Sequence, residues 1–102
     1  MSVIHINKEN FAREVLESDK PVLLDFFADW CGPCRMLGPV LDELAAENPH
    51  IKVAKINIDQ ERELTDQFKV MTIPSLFVMK DGKVVNQSVG AKPKHQLLAM
   101  VK

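Results

Sequence analysis

Both cysteines of the chain and its only tryptophan fall in one stretch, Trp30-Cys31-Gly32-Pro33-Cys34. The run before it, Val22 to Phe27, is apolar except for Asp25. After it, Leu37, Val40, Leu41 and Leu44 recur at helical spacing. The thiols are therefore expected where a strand ends and a helix begins, and the fold must supply that junction. A helix N-terminus offers unpaired N–H groups and the positive end of the macrodipole, and both favour a thiolate. A lowered thiol pKa makes cysteine a nucleophile near neutral pH. Positions three apart share a helix face, so Cys31 and Cys34 can meet and close a disulfide. Pro33 suits the first turn, where its missing N–H costs nothing.

At 102 residues the chain reads as one domain, residues 1–102, of a common domain size. Its 46% hydrophobic content suits a globular core. The net charge of -1, with basic residues scattered, gives no reason to expect nucleic acid as a partner. No apolar run approaches the ~20 residues that span a bilayer, so no membrane association is expected. The start, Met1-Ser2-Val3-Ile4, lacks a basic segment and a long apolar one, and does not read as a signal peptide. A C-x-x-C pair in such a chain, with alternating strands and helices, points to redox chemistry in the cytoplasm.

Taken in order, residues 3–6 form a strand and Asn7 caps a helix over 8–17. Residues 18–21 turn. Val22–Phe27 reads as a strand buried on both faces, as in a parallel sheet. A helix over 34–47 contains Pro39, which should kink it. A third strand covers 51–58, and Asp59 caps a helix over 60–68. A strand over 75–79 meets Asp81-Gly82, a two-residue hairpin signal, and returns over 84–89. Gly90 breaks it, and Pro93 opens a last helix carrying Leu97, Leu98 and Val101. The order is β-α-β-α-β-α-β-β-α, an α/β fold with parallel crossovers first and an antiparallel hairpin last.

Several residues admit two readings. Cys31 and Cys34 form a redox couple, an inert disulfide or half of a zinc site. Structural zinc takes four ligands, and His5, His50 and His95 show no ligand-pair spacing, so no metal is expected. Cys31 reads as the exposed nucleophile and Cys34, one turn deeper, as the resolving thiol. Trp30 is either a core residue or a contact surface beside the thiols; tryptophan's enrichment at contact sites favours the second. Asp25 is either solvated at a strand edge or buried. Burial would raise its pKa and make it a proton shuttle near neutral pH. Lys55, on the neighbouring strand, is its partner or a plain surface lysine.

The residues Asp25 to Cys34, Ala54 to Asp59, Ile73-Pro74-Ser75 and Val89-Gly90-Ala91 together resemble the thioredoxin family, nearly end to end. The resemblance implies a thioredoxin fold: a central mixed sheet with helices on both faces. It implies a protein-disulfide reductase that works through a Cys31/Cys34 dithiol–disulfide cycle, with electron transport and redox homeostasis as its role. It implies a cis Ile73-Pro74 bond beside the disulfide. Substrate contacts would fall on Trp30, Gly32, Pro33, Ile73, Pro74, Gly90 and Ala91. The implied partners are protein disulfides and a thioredoxin reductase, a flavin (FAD) enzyme drawing on NADPH. The chain itself, expected to be a monomer, would bind no cofactor. Phe27 stands where the family commonly carries a second tryptophan, Ser75 stands where threonine is usual, and the chain has no tyrosine. Thr72 stands where a smaller residue is common, beside the expected substrate groove.

Overall fold

β2 (Val22–Phe27) forms at the middle of the sheet because it is apolar on both sides, and only a covered strand can hide both. The structure is a computed structural model that describes residues 2–102. Around β2 lie β1 (Ile4–His5), β3 (Lys52–Asn57), β4 (Ser75–Lys80) and β5 (Lys83–Val89), in the order β1-β3-β2-β4-β5. β1, β3 and β2 run parallel, and β4 and β5 are antiparallel to their neighbours. The expected mixed sheet and element order are both present.

Alternation along β2 divides the core. Leu23 faces the side where α1 (Gly32–Glu47) and α3 (Lys94–Val101) pack through Leu37, Leu41, Leu44 and Leu97. Leu24 and Phe26 face the side of α2 (Arg62–Gln67) and a π-helical segment, Ala12–Leu16. On that second side Phe68 packs against Phe11, Phe26 and Phe77, with ring centroids 5.9, 5.1 and 5.1 Å away. These distances suit edge-on and tilted aromatic pairs. Lys94 ties α3 to α1 by bonding Glu43 and Glu47, each at 3.0 Å. Asp81 and Gly82 both take positive φ (53° and 77°), the twist a two-residue hairpin needs. No helix among the described residues is long and apolar enough to cross a membrane.

Two elements depart from the sequence expectation. The helix expected over 8–17 is a turn at 8–10 followed by the short π-helical segment. Asn7 does cap, but in a reciprocal pair: its Oδ1 takes the Asn10 N–H at 2.9 Å, and Asn10 Oδ1 takes the Asn7 N–H at 2.8 Å. Downstream, the Lys52 ammonium donates to the Glu14 carbonyl at 2.9 Å, a tertiary bond that no local pattern reports. The helix expected over 60–68 begins later, at Arg62, with Glu61 at its N-cap. Asp59 does not cap it: it lies two residues before that cap, and its Oδ2 accepts the Trp30 indole N–H instead. Elsewhere the strands match within a residue or two, and α1 starts two residues earlier than expected, at Gly32.

The packing leads to two stability predictions. Leu41 is fully buried between α1, the sheet and α3, so Leu41→Ala should lower unfolding free energy by about 2–5 kcal/mol. At Gly82 an added Cβ would sit 3.2 Å from the Leu16 carbonyl at positive φ, so Gly82→Ala should cost about 1–2 kcal/mol. Urea unfolding checks both; wild-type midpoints would refute this account of the packing.

Candidate functional site: a thiol pair at a strand-to-helix junction

β2 ends at Phe27, and after four intervening residues the chain enters α1 at Gly32. Cys31 is the N-cap of α1, in an extended conformation (φ -88°, ψ 113°). Its Sγ accepts the Cys34 backbone N–H at 3.2 Å, so the sulfur does what a capping oxygen usually does. Gly32 and Pro33 fill the first turn, where Pro33 has no donor to lose. Cys31 and Cys34 are joined as a disulfide with Cα atoms 5.2 Å apart. Cys31 is 6% exposed and Cys34 2%. Cys31, expected to be exposed, is buried as Cys34 is, because Ala28, Phe27, Ile58 and Ile73 pack around the pair; it is only slightly the shallower of the two.

Around the pair, Ala28 is buried, and Phe27, Ile58 and Ile73 pack against it. Ile73-Pro74 is a cis peptide bond, as the family resemblance implies. The Ile73 carbonyl lies 4.0 Å from Cys31 Sγ. Gly90 closes this loop: its N–H donates to the Pro74 carbonyl at 2.8 Å, and its φ of +94° belongs to the region glycine enters freely. Ala91 beyond it is exposed. Gly32, Pro33, Ile73, Pro74 and Gly90 are thus brought to one end of the sheet with the thiols.

Trp30 is 67% exposed, so it is a surface residue and not a core one. Its indole N–H donates to Asp59 Oδ2 at 2.9 Å. Asp59 is a site residue that the sequence reading assigned elsewhere, as a helix cap. The available signal was topological. β3 runs parallel to β2, so the residue just past β3 emerges at the same sheet end as Trp30.

Asp25 is fully buried, and among the described residues neither carboxylate oxygen has a hydrogen-bond partner. The solvated reading falls. Alternation puts Asp25 on the α1 side of β2, with Lys55 directly beside it in the β2–β3 register. Burial pushes the Asp25 carboxyl up to about 7, and the Lys55 charge offsets part of that rise. Lys55 is half-buried, and its ammonium rests 4.2 Å from the centre of the Phe27 ring. A cation over an aromatic face is held there electrostatically. Lys55, Phe27, Cys34, Arg35 and Gly38 line one cavity of about 290 Å³, large enough to admit water beside the deeper sulfur. The half-zinc-site alternative finds no further ligands: the described residues hold no cluster of three or more His, Cys, Asp or Glu suited to a metal.

The buried carboxyl makes stability depend on pH. Its folded pKa, about 7, stands above the unfolded value of 3.8, so the native state holds the proton more tightly. This contribution is fully present below the unfolded pKa and is lost as pH rises towards 7, by roughly 4 kcal/mol. Asp25→Asn should remove that slope and leave the variant more stable than wild type above pH 7. Thermal unfolding of both proteins from pH 4 to 9 checks this. Parallel curves would mean that Asp25 is not buried as charge.

Against known proteins, the thioredoxin family model matches residues 2–102. The chain is 51% identical over 96 residues to a thioredoxin of Haemophilus influenzae, covering 93% of this chain and 90% of that one. It is 47% identical over 96 residues to a thioredoxin of Chlamydia trachomatis, covering 94% and 92%. It is 49% identical over 90 residues to a thioredoxin of Alicyclobacillus acidocaldarius, covering 87% and 86%. With this likeness running through the strand, the thiol turn and the helix that holds it, the chain belongs to the thioredoxin family and is a thiol–disulfide oxidoreductase, a protein-disulfide reductase.

Proposed function

We propose a division of labour within the site. Reduced Cys31 attacks a disulfide of a protein substrate; a Cys31–substrate bond forms and the substrate's S–S bond breaks. The first substrate sulfur leaves as a thiolate and takes a proton from solvent. Cys34 then gives up its proton, attacks Cys31 Sγ, closes the Cys31–Cys34 bond and releases the second substrate sulfur. Two electrons pass to the substrate, and the site is left as the disulfide.

The observation that carries this order is the Cys34 N–H pointing at Cys31 Sγ. A donor aimed at a sulfur stabilises negative charge there, so Cys31 is the nucleophile and Cys34 the resolving thiol. Asp25 accepts the Cys34 proton, with Lys55 moderating its charge. A carboxyl that titrates near 7 is half-ionised at neutral pH, which suits both taking and returning a proton. Cys34 and Lys55, the register neighbour of Asp25, line one cavity, which supports this path.

Trp30, Gly32, Pro33, Ile73, Pro74, Gly90 and Ala91 receive an extended substrate segment by short-range strand addition. The spent disulfide is restored to the dithiol by a reductase, a flavin enzyme drawing on NADPH. The chain therefore needs no cofactor of its own. Such a cycle runs in a reducing compartment, the cytoplasm.

Brief treatment of the reduced protein with iodoacetamide at pH 7 should label Cys31 and spare Cys34, read by peptide mapping. Cys34→Ser should accumulate a mixed disulfide on Cys31. Asp25→Asn should slow the resolving step by at least about tenfold while gaining stability. Dominant label on Cys34 would reverse the thiol assignment, and an unchanged resolving rate in Asp25→Asn would remove Asp25 from the proton path.

A further inference from the structure

On one side β5 is covered: Asn86 donates to the Met100 carbonyl of α3, and Ser88 contacts the Met100 sulfur, both at 3.4 Å. On its other side no helix among the described residues covers it. There Val84, Gln87 and Val89 stand opposite Met79, Phe77 and Ser75, with Val84 46% and Val89 57% exposed. The helix on that side of the sheet, α2, is six residues long. After it the chain turns at Lys69, whose φ is +55°, and Phe68 to Thr72 line a gap together with Gln87, Ser88 and Val89.

Between that segment and β5 runs a trough. Its near part is about 500 Å³, and Met71, Thr72, Ser75 and Val89 lie along it. Its far part is about 410 Å³ and reaches Phe11, Leu16 and Val84. Phe68, Lys69, Phe77 and Gln87 line both, so the two parts are continuous. The near end touches the redox site. Thr72 and Ser75 flank Ile73-Pro74, and Val89 precedes the Gly90 that bonds Pro74. From Val89 to Val84 is five residues of strand, about 17 Å, the length of about five residues of extended peptide.

The lining mixes apolar side chains with the polar Thr72, Ser75 and Gln87, and Lys69 is its one cation. Met71 is 95% exposed at the near rim, a flexible side chain able to fit varied neighbours. Among the described residues no carboxylate lies within ion-pair distance of the Lys69 ammonium. The Ile73 carbonyl lies 4.0 Å from Cys31 Sγ, and its neighbour Thr72 lines the near part of the trough.

We propose that the trough is a second docking site for the substrate's own chain. Its occupant is an extended, mainly apolar stretch of the protein disulfide, with an Asp or Glu about four residues from the attacked cysteine. Lys69 reads that carboxylate, and Phe77, Met71 and Val89 take the apolar side chains. The proposal rests on the redox reading above, and sets which protein disulfides are reduced fastest.

The test uses one small disulfide-closed peptide loop, either bare or carrying a five-residue apolar tail with Glu or Lys at its fourth position, before or after the loop. Reduction by the dithiol form is followed by timed thiol quenching. For one tail polarity the Glu tail should exceed both the bare loop and the Lys tail in kcat/KM, the latter by about fivefold. Lys69→Glu should reverse the Glu–Lys order. Gln87→Trp, which fills the middle of the trough, should abolish the tail benefit and leave the bare loop's rate unchanged. Equal rates for all peptides, or a benefit that survives both variants, would overturn the docking site while the redox reading stands. Failure to reduce even the bare loop would overturn both. Concentration-dependent dimers that Gln87→Trp abolishes in sedimentation would assign the trough to a second copy and overturn the substrate proposal.

Discussion

The double burial of β2 is the constraint on which the other features depend. A strand covered on both faces must have helices above and below, and it must leave the core at a fixed place. That exit is the Ala28 to Cys31 turn, and the helix that follows is held down by Leu37, Leu41 and Leu44. The thiols therefore stand on a rigid seat: a strand end on one side and a packed helix start on the other. Because α1 cannot shift without exposing its leucines, the Cys34 N–H stays aimed at Cys31 Sγ.

The same burial makes Asp25 expensive. An apolar side chain would suit its position better, since neither oxygen finds a partner among the described residues. The fold tolerates this because the Lys55 charge lies beside it in register, and the Phe27 ring holds that ammonium in place. Local rules of strand composition fail at this one residue of β2, next to the thiols. A conflict between stability and position is expected where a residue serves chemistry instead of packing.

Around the seat the surface is more open than the core requires. Trp30 is propped outward by Asp59, and Met71 stands in solvent above the loop that carries Pro74. β5 is an edge strand, and Val84 and Val89 on one of its faces are exposed. Such an edge invites other chains. Here the uncovered face begins where the redox site ends, so the reaction centre and the open surface are one continuous strip.

The sequence by itself determined the kinds of elements and the place of the chemistry. The apolar run of β2, the helical stripe of α1 and the Asp81-Gly82 turn are short-range signals, since each is decided by residues at most a few positions apart. The thiol spacing and its place at a strand-to-helix junction belong to the same class, and the buried carboxylate was legible as a polar residue in an apolar run. Tertiary structure decided the partners. Trp30 and Asp59 are 29 positions apart, and only the parallel β2–β3 register brings them together. The first helix became a turn and a π-helical segment as Asn10 paired with Asn7 and Lys52 reached Glu14 from 38 positions away. The trough along β5 is lined by residues from β4, β5 and the segment after α2, which strand order brings together. A periodic pattern reports which face of an element is buried, whereas the neighbour across the sheet depends on register and topology, which no local pattern encodes.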